Sequence, residues 1–291
     1  MKIKRLGQLG MLLAALLLGS TPVKAGTFVS DSVKLNGHVR HFDLYLPEGI
    51  KADAPLVVYI HGYGGGIERD NYMVGEADKR GFAVCIPEGL KDPVGKRSWN
   101  VGYPFQKGWK VDDVKEVQQI AWQVQKKYRL SKVNTFLTGM SNGGEMCYII
   151  AYSDQSTFRA VAPIAGLTMK WFYDKLPGTK PIPLMEVHGT EDRVSEWTGD
   201  LTNAGGWGAY LPIPIAVGYW VAKNRCTHET VTEMPSRDPS SGHRIIKHEY
   251  TGGPQGYDVW LYEVIDGTHC THTGDLDTGA EVWKFFSKYL K

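Results

Sequence analysis

The segment Pro55 to Ile60 reads Pro-Leu-Val-Val-Tyr-Ile, an unbroken apolar run with no polar face. A strand of that kind must be covered on both sides, as happens inside a parallel sheet flanked by helices. Gly81 to Ile86 reads as a second such strand, closed by Pro87. Val133 to Leu137, Arg159 to Ile164, Leu184 to Val187 and Asp258 to Ile265 read as further strands. His38 to Leu46 alternates instead, with Phe42, Leu44 and Leu46 on one face, which predicts a half-buried strand. Helical patterns fall between them. Asp112 to Arg129 carries Val114, Val117, Ala121, Val124 and Tyr128 on one stripe, with Asp112 and Asp113 in the first turn, where the helix dipole favours acids. Glu145 to Tyr152, Ile215 to Asn224 (with Pro214 at its start) and Ala280 to Leu290 read as helices too. Alternating strands and helices predict an α/β fold, a mostly parallel sheet with helices on both faces, in one domain over residues 26–291. Arg193 to Pro212, rich in Gly and Trp, is the least regular stretch, and a loop of that kind is expected to be functional or mobile.

The first 25 residues read as an address label. Lys2, Lys4 and Arg5 precede the apolar run Met11 to Leu18, and a short polar stretch ends in Val23-Lys24-Ala25. That is the pattern of a secretory signal peptide cut near Ala25, and the run is too short to span a bilayer. The expected location is a bacterial periplasm or beyond. The formal charge of +2 then misleads: without the four leader cations the chain has 29 basic and 31 acidic residues. A chain so balanced has no broad basic field, which excludes nucleic acid as an expected partner. Export permits disulfides. Cys85 and Cys147 sit in apolar runs and read as small buried hydrophobes, whereas Cys226 and Cys270 lie in loop-like sequence and are the better bridge candidates.

The chemistry-bearing motif is Gly139-Met-Ser141-Asn-Gly143, which follows a strand and opens a helix. In G-x-S-x-G the turn strains the serine and the glycines make room for neighbouring backbone, so the hydroxyl stands above the sheet edge. A serine nucleophile needs a base, and a late loop after a strand supplies one in Asp266-Gly-Thr-His269, with His272 as the reserve. The base needs an orienting acid. Asp192, in His188-Gly-Thr-Glu-Asp-Arg-Val194, follows the strand Leu184 to Val187, with Glu191 as the reserve. An oxyanion needs N–H donors, and those of Tyr63, in the Gly-rich turn after Ile60, and of Asn142 stand at the expected places. That turn is not a phosphate loop, since no Gly-Lys-Ser/Thr follows. Trp99, Trp109, Trp197, Trp207 and Tyr210 crowd the loops, and sugar rings or phenolic acids stack on such faces. His269-Cys-Thr-His272 has a spacing that zinc could use, but no further ligand lies near in sequence, so no metal or organic cofactor is expected.

Leu46-Pro47, the Pro55 to Gly66 strand and turn, Gly-Met-Ser-Asn-Gly-Gly, His-Gly-Thr-Glu-Asp-Arg-Val and Asp-Gly-Thr-His together resemble the secreted α/β-hydrolase esterases that include feruloyl esterases, acetylxylan esterases and polyhydroxybutyrate depolymerases. The similarity runs from about Val39 to Leu290, and Trp220-Val-Ala-Lys-Asn-Arg-Cys226 is similar to the family's Trp…Asn-Gly-Cys segment, with Arg for Gly. The resemblance implies the α/β-hydrolase fold and a Ser141, Asp192, His269 triad. It also implies ester hydrolysis on acyl-substituted plant polysaccharide such as feruloyl or acetyl xylan. Cys270-Thr-His272 stands where the family often has Trp-Pro, which keeps His272 as an alternative base. The other readings are a polyester depolymerase, a secreted serine peptidase and a catalytically silent carbohydrate-binding scaffold.

Overall fold

The computed structural model describes residues 26–153, 155–176, 180–270 and 272–291, so the expected leader lies outside the described residues. The strands are β1 (Thr27–Leu35), β2 (His38–Leu46), β3 (Leu56–Ile60), β4 (Ala83–Pro87), β5 (Leu90–Lys91), β6 (Arg97–Ser98), β7 (Thr135–Met140), β8 (Val161–Ile164), β9 (Leu184–Gly189), β10 (His228–Met234), β11 (Arg244–Thr251) and β12 (Val259–Ile265). The helices are α1 (Val74–Arg80), α2 (Asp113–Tyr128), α3 (Asn142–Ser153), α4 (Lys170–Lys175), α5 (Ile213–Asn224), α6 (His272–Asp275) and α7 (Thr278–Ser287).

Among the described residues ten strands form one sheet in the order β1-β2-β4-β3-β7-β8-β9-β12-β11-β10. The middle six, β4 to β12 in that order, run parallel. The two strands at each edge are antiparallel. Order reverses around β3, which lies between β4 and β7, and in open α/β sheets ligands bind outside the strand C-termini near such a reversal.

The buried central strands split their side chains between two cores with period two. Leu56, Val58 and Ile60 of β3 face one core, and Val57 and Tyr59 face the other. On the first face α2 lays down Val117, Ala121 and Val124, with Asp112 as its N-cap accepting from the Lys115 N–H at 3.1 Å. On the second face Trp283 of α7 stacks on Phe82 and Phe286 stacks on Phe136, at 4.1 and 4.8 Å between ring centroids. Helices on both faces of a mostly parallel sheet are the arrangement that the alternation of patterns predicts.

Three strands of the ten-stranded sheet, and the short pair β5–β6, have no counterpart in the sequence reading. β1 and β10 are edge strands with mostly exposed or half-exposed residues, so neither carries a clear apolar face, and β11 pairs with β10. Ladder pairing holds them, and pairing leaves little trace in side-chain pattern. The expected Cys226–Cys270 bridge is also corrected. Cys226 is a half-buried thiol that donates to the Tyr257 carbonyl at 3.5 Å, so it is not a half-cystine. Cys85 and Cys147 are buried as small apolar groups, as expected.

Candidate active site

Ser141 lies in the turn between β7 and α3 with φ of +54°, a left-handed conformation that costs a serine free energy. The backbone of β8 holds it there, because its N–H donates to the Ile164 carbonyl at 2.8 Å. The flanking glycines are sterically required. A Cβ on Gly139 would meet Ile60 O at 2.6 Å, and one on Gly143 would meet the same oxygen at 2.0 Å. The turn after β3 is thereby packed against the serine, and a Cβ added to Gly62 would lie 3.5 Å from Ser141 Cβ.

That turn is fixed by groups the sequence reading did not single out. His61 is buried; its Nδ1 faces Gly62 O at 2.7 Å and its Nε2 accepts from the Gly89 N–H at 2.9 Å. These contacts fit a neutral imidazole protonated at Nδ1, and burial lowers its pKa to about 4. Gly64 N–H donates to Arg97 O at 2.7 Å, and the Tyr63 hydroxyl donates to Asp92 at 3.0 Å. The Tyr63 N–H has no acceptor among the described residues. Asn142 opens α3, so its N–H stands outside the helical ladder. Tyr63 lines the same cavity as Ser141, and Asn142 follows the serine directly in the chain, so both expected donors lie close to it.

Asp192 follows β9 and His269 follows β12. The two loops are stitched together: Glu191 N–H donates to Gly267 O at 2.9 Å, and Asp266 N–H donates to Thr190 Oγ1 at 2.9 Å. A Cβ on Gly189 would meet Gly267 O at 2.3 Å, so only glycine permits the approach. Asp192 Oδ2 accepts from His269 Nδ1 at 2.6 Å, and Oδ1 accepts from the Val194 and Ser195 N–H groups, both at 2.8 Å. Burial works to raise the Asp192 pKa, but the His269 hydrogen bond, the charges of His269 and His188 and the Ser195 N–H outweigh it, and the net shift is downward. A carboxylate so held fixes the imidazole with Nδ1 protonated and Nε2 available. The reserve acid Glu191 is exposed and contributes only its backbone. The side chain of the reserve base, His272, lies outside the described residues.

Ser141 and His269 line one cavity of about 240 Å³ together with Tyr63, Tyr103, Glu145, Leu167, Val194, Ser195 and Trp207. No hydrogen bond joins the Ser141 hydroxyl to His269 among the described residues. Such bonds are often long without substrate and tighten in the complex. A larger cavity of about 370 Å³, lined by Lys132, Arg159, Tyr257 and Tyr289 among others, contains none of these groups.

Of the five aromatic residues expected to contact substrate, only Trp207 lines the Ser141 cavity; Tyr63, Tyr103 and Phe105 all pack against its ring, at 5.2 to 5.9 Å between centroids. Trp99 is fully buried; its indole N–H donates to His61 O at 3.0 Å and its backbone N–H to Asn142 Oδ1 at 2.7 Å. It braces the β3 turn from behind and cannot stack on a substrate. Tyr210 is buried too, bridged to Met169 and Asp200 through its backbone. Trp197 is half-buried with its ring 6.1 Å from that of His188, and Trp109 lines a separate cavity with Trp171. Loop aromatics on this scaffold mostly pin the long connections to the core, which composition could not separate from ligand contact.

Behind Asp192 lies a second buried pair. His188 Nδ1 is 2.8 Å from Glu186 Oε1, and Nε2 is 2.7 Å from Ser195 O and 3.5 Å from Asp192 Oδ2. Both nitrogens face oxygens, so the imidazolium is the form that satisfies both. The His188 pKa is accordingly raised: burial works against the charge, and the Glu186 contact outweighs it. Burial pushes the Glu186 carboxyl up to about 7. One acid inside the apolar strand Leu184 to Val187 was the available signal for this pair.

The chain is also similar to known proteins. Residues 40–174 match the family model described as Esterase PHB depolymerase. The chain is 27% identical over 272 residues to a bifunctional acetylxylan esterase/xylanase of Neocallimastix patriciarum, covering 90% of this chain and 35% of that one. It is 25% identical over 291 residues to feruloyl esterase D of Neurospora crassa, covering 89% of this chain and 85% of that one. The chain thus spans about a third of the first relative and most of the second. The acetyl xylan esterase of Aspergillus awamori superposes with a TM-score of 0.59 at 14% identity, over 89% of this chain and 99% of that one. Its likeness is one of fold. The chain has the α/β-hydrolase fold, matches the PHB depolymerase esterase model over residues 40–174, and is similar at 25–27% identity to acetylxylan and feruloyl esterases.

Proposed function

We propose that Ser141, His269 and Asp192 form the catalytic relay of an esterase that removes feruloyl or acetyl groups from plant cell-wall xylan. The observation that carries the relay is the 2.6 Å bond from His269 to Asp192, made at the wall of a cavity that Ser141 also lines. His269 Nε2 takes the Ser141 proton as the oxygen attacks the ester carbonyl, and the Tyr63 and Asn142 N–H groups hold the oxyanion. The imidazolium then protonates the leaving alcohol, and water repeats the sequence on the acyl-enzyme. Asp192 keeps the imidazole in one tautomer throughout.

The substrate class is supported by the relatives named acetylxylan and feruloyl esterases and by the aromatic wall of Tyr63, Tyr103 and Trp207. The name of the matching family favours a polyester as the second reading. Residues 26–291 are read as one catalytic domain exported by the leader at 1–25. Among the described residues no helix is long and apolar enough to cross a membrane. A panel of methyl ferulate, acetylated xylan and short polyhydroxybutyrate tests the assignment. Turnover of either of the first two, abolished by Ser141→Ala, is the expected result. Exclusive cleavage of the polyester would replace the xylan reading, and no reaction with a fluorophosphonate probe would indicate a silent scaffold.

A further inference from the structure

Among the described residues Glu145 is the one acid lining the Ser141 cavity. It lies one helical turn below the serine, with its N–H donating to Ser141 O at 2.9 Å. Its side chain is nearly inaccessible from outside the protein, at 1% exposure. Oε2 is fully engaged. The Tyr103 hydroxyl donates to it, and Asn142 Nδ2 lies 3.4 Å from the same oxygen and 3.3 Å from the Tyr103 hydroxyl. Oε1 takes no hydrogen bond among the described residues. It is also absent from the polar atoms that are both sealed from solvent and unpartnered. An acceptor oxygen therefore opens on the cavity, surrounded by Tyr63, Leu167, Val194 and Trp207. In the free protein water can pair with it, and a ligand that displaces that water must supply a donor of its own or leave the oxygen unmatched at a cost in free energy.

The cavity of about 240 Å³ is adequate for a phenylpropenoyl group and far too small for a polysaccharide chain, so the group that enters it is the acyl group and the leaving sugar stays outside. We propose that Glu145 is a specificity-determining residue whose Oε1 accepts a hydrogen bond from a hydroxyl at the far end of the acyl group, so that the enzyme prefers hydroxylated acyl groups to their etherified counterparts. This inference rests on the serine-esterase reading and deepens it by naming the atom that reads the acyl group.

The test uses inhibitors that engage the serine without being turned over. Inhibition of 4-nitrophenyl acetate hydrolysis is measured at pH 8 with 2-(4-hydroxyphenyl)ethenylboronic acid and its 4-methoxy counterpart. Burial raises the Glu145 pKa to about 7, so at pH 8 the carboxylate dominates. The wild type is expected to bind the hydroxyl compound about tenfold to a hundredfold more tightly, the range of a hydrogen bond to a charged group. In Glu145→Gln the Tyr103 and Asn142 donors claim the amide oxygen and turn the NH2 toward the cavity. The ratio should then fall to one or invert in favour of the methoxy compound. A wild-type ratio below two overturns the proposal without any variant, and so does an unchanged ratio in Glu145→Gln. Methyl ferulate turnover is read separately. An enzyme that ignores methyl ferulate yet prefers the hydroxyl boronate would refute the feruloyl substrate and retain the Glu145 contact.

Discussion

Asp192–His269 and Glu186–His188 are carboxylate–imidazole pairs of nearly equal length, 2.6 and 2.8 Å, set side by side at the end of β9. His188 and Glu186 are sealed off entirely, and both His188 nitrogens are taken by oxygens. His269 keeps 18% of its side chain exposed, and its Nε2 has no partner among the described residues. An imidazole with a free nitrogen beside a hydroxyl can exchange protons with it; one with both nitrogens occupied has none left to offer a substrate. The same two residue types thus yield a proposed base in one place and a buried, fully hydrogen-bonded imidazole behind the proposed orienting acid in the other.

The largest effect should come from breaking the exposed pair. Asp192→Asn would present the wrong imidazole tautomer and is expected to lower kcat by about 10⁴-fold while leaving the melting temperature within a few degrees. A loss under tenfold in a steady-state assay would remove Asp192 from the relay. Breaking the buried pair should act on stability first. His188→Leu leaves the Glu186 carboxyl without its partner and is expected to cost about 3–5 kcal/mol in urea unfolding. The fraction that remains folded should still react with a fluorophosphonate. Activity lost with stability unchanged would place His188 in the chemistry instead.

Titration sharpens the contrast further. Burial raises the Glu145 and Glu186 pKa values to about 7, well above the unfolded value near 4.3. Between those limits the folded chain keeps protons that the unfolded chain has released, so stability falls as pH rises from about 4.5 to 7. Asp192, shifted downward, has the opposite sign and its contribution is lost only as pH falls through its folded pKa. Melting temperature should therefore decline over pH 4.5 to 7, with a shallower slope in Glu145→Gln. A flat profile would show that the two acids are ionised in the folded state. The smallest effect is expected from Trp207→Ala, which removes one ring of the cavity wall and should raise KM for aryl esters about tenfold with kcat little changed. An equal fall in kcat would mean that Trp207 orients the ester rather than only binding it.

Much of this was legible in the residues. β3, α2 and the turn at Ser141 fall close to where apolar runs, the stripe from Val114 to Tyr128 and the glycines at 139 and 143 place them. Trp99 and Tyr210 were misread because an aromatic ring in a loop has the same one-dimensional signature whether it faces a ligand or the core. Glu145 and Glu186 were passed over although each is a lone acid in an apolar segment, a pattern that marks a buried carboxyl as well as a turn boundary.

The chain by itself determined the alternation of covered strands and amphipathic helices and the strained turn that lifts Ser141, because these depend on periodicity and on steric limits within a few residues. Tertiary structure decided which of His188 and His269 has both nitrogens taken by oxygens, which carboxyls are driven toward their neutral form and that Trp207 reaches the cavity. Each of those depends on what burial removes from water and on contacts between residues distant in the chain, such as Gly189 against Gly267, and no local pattern encodes them.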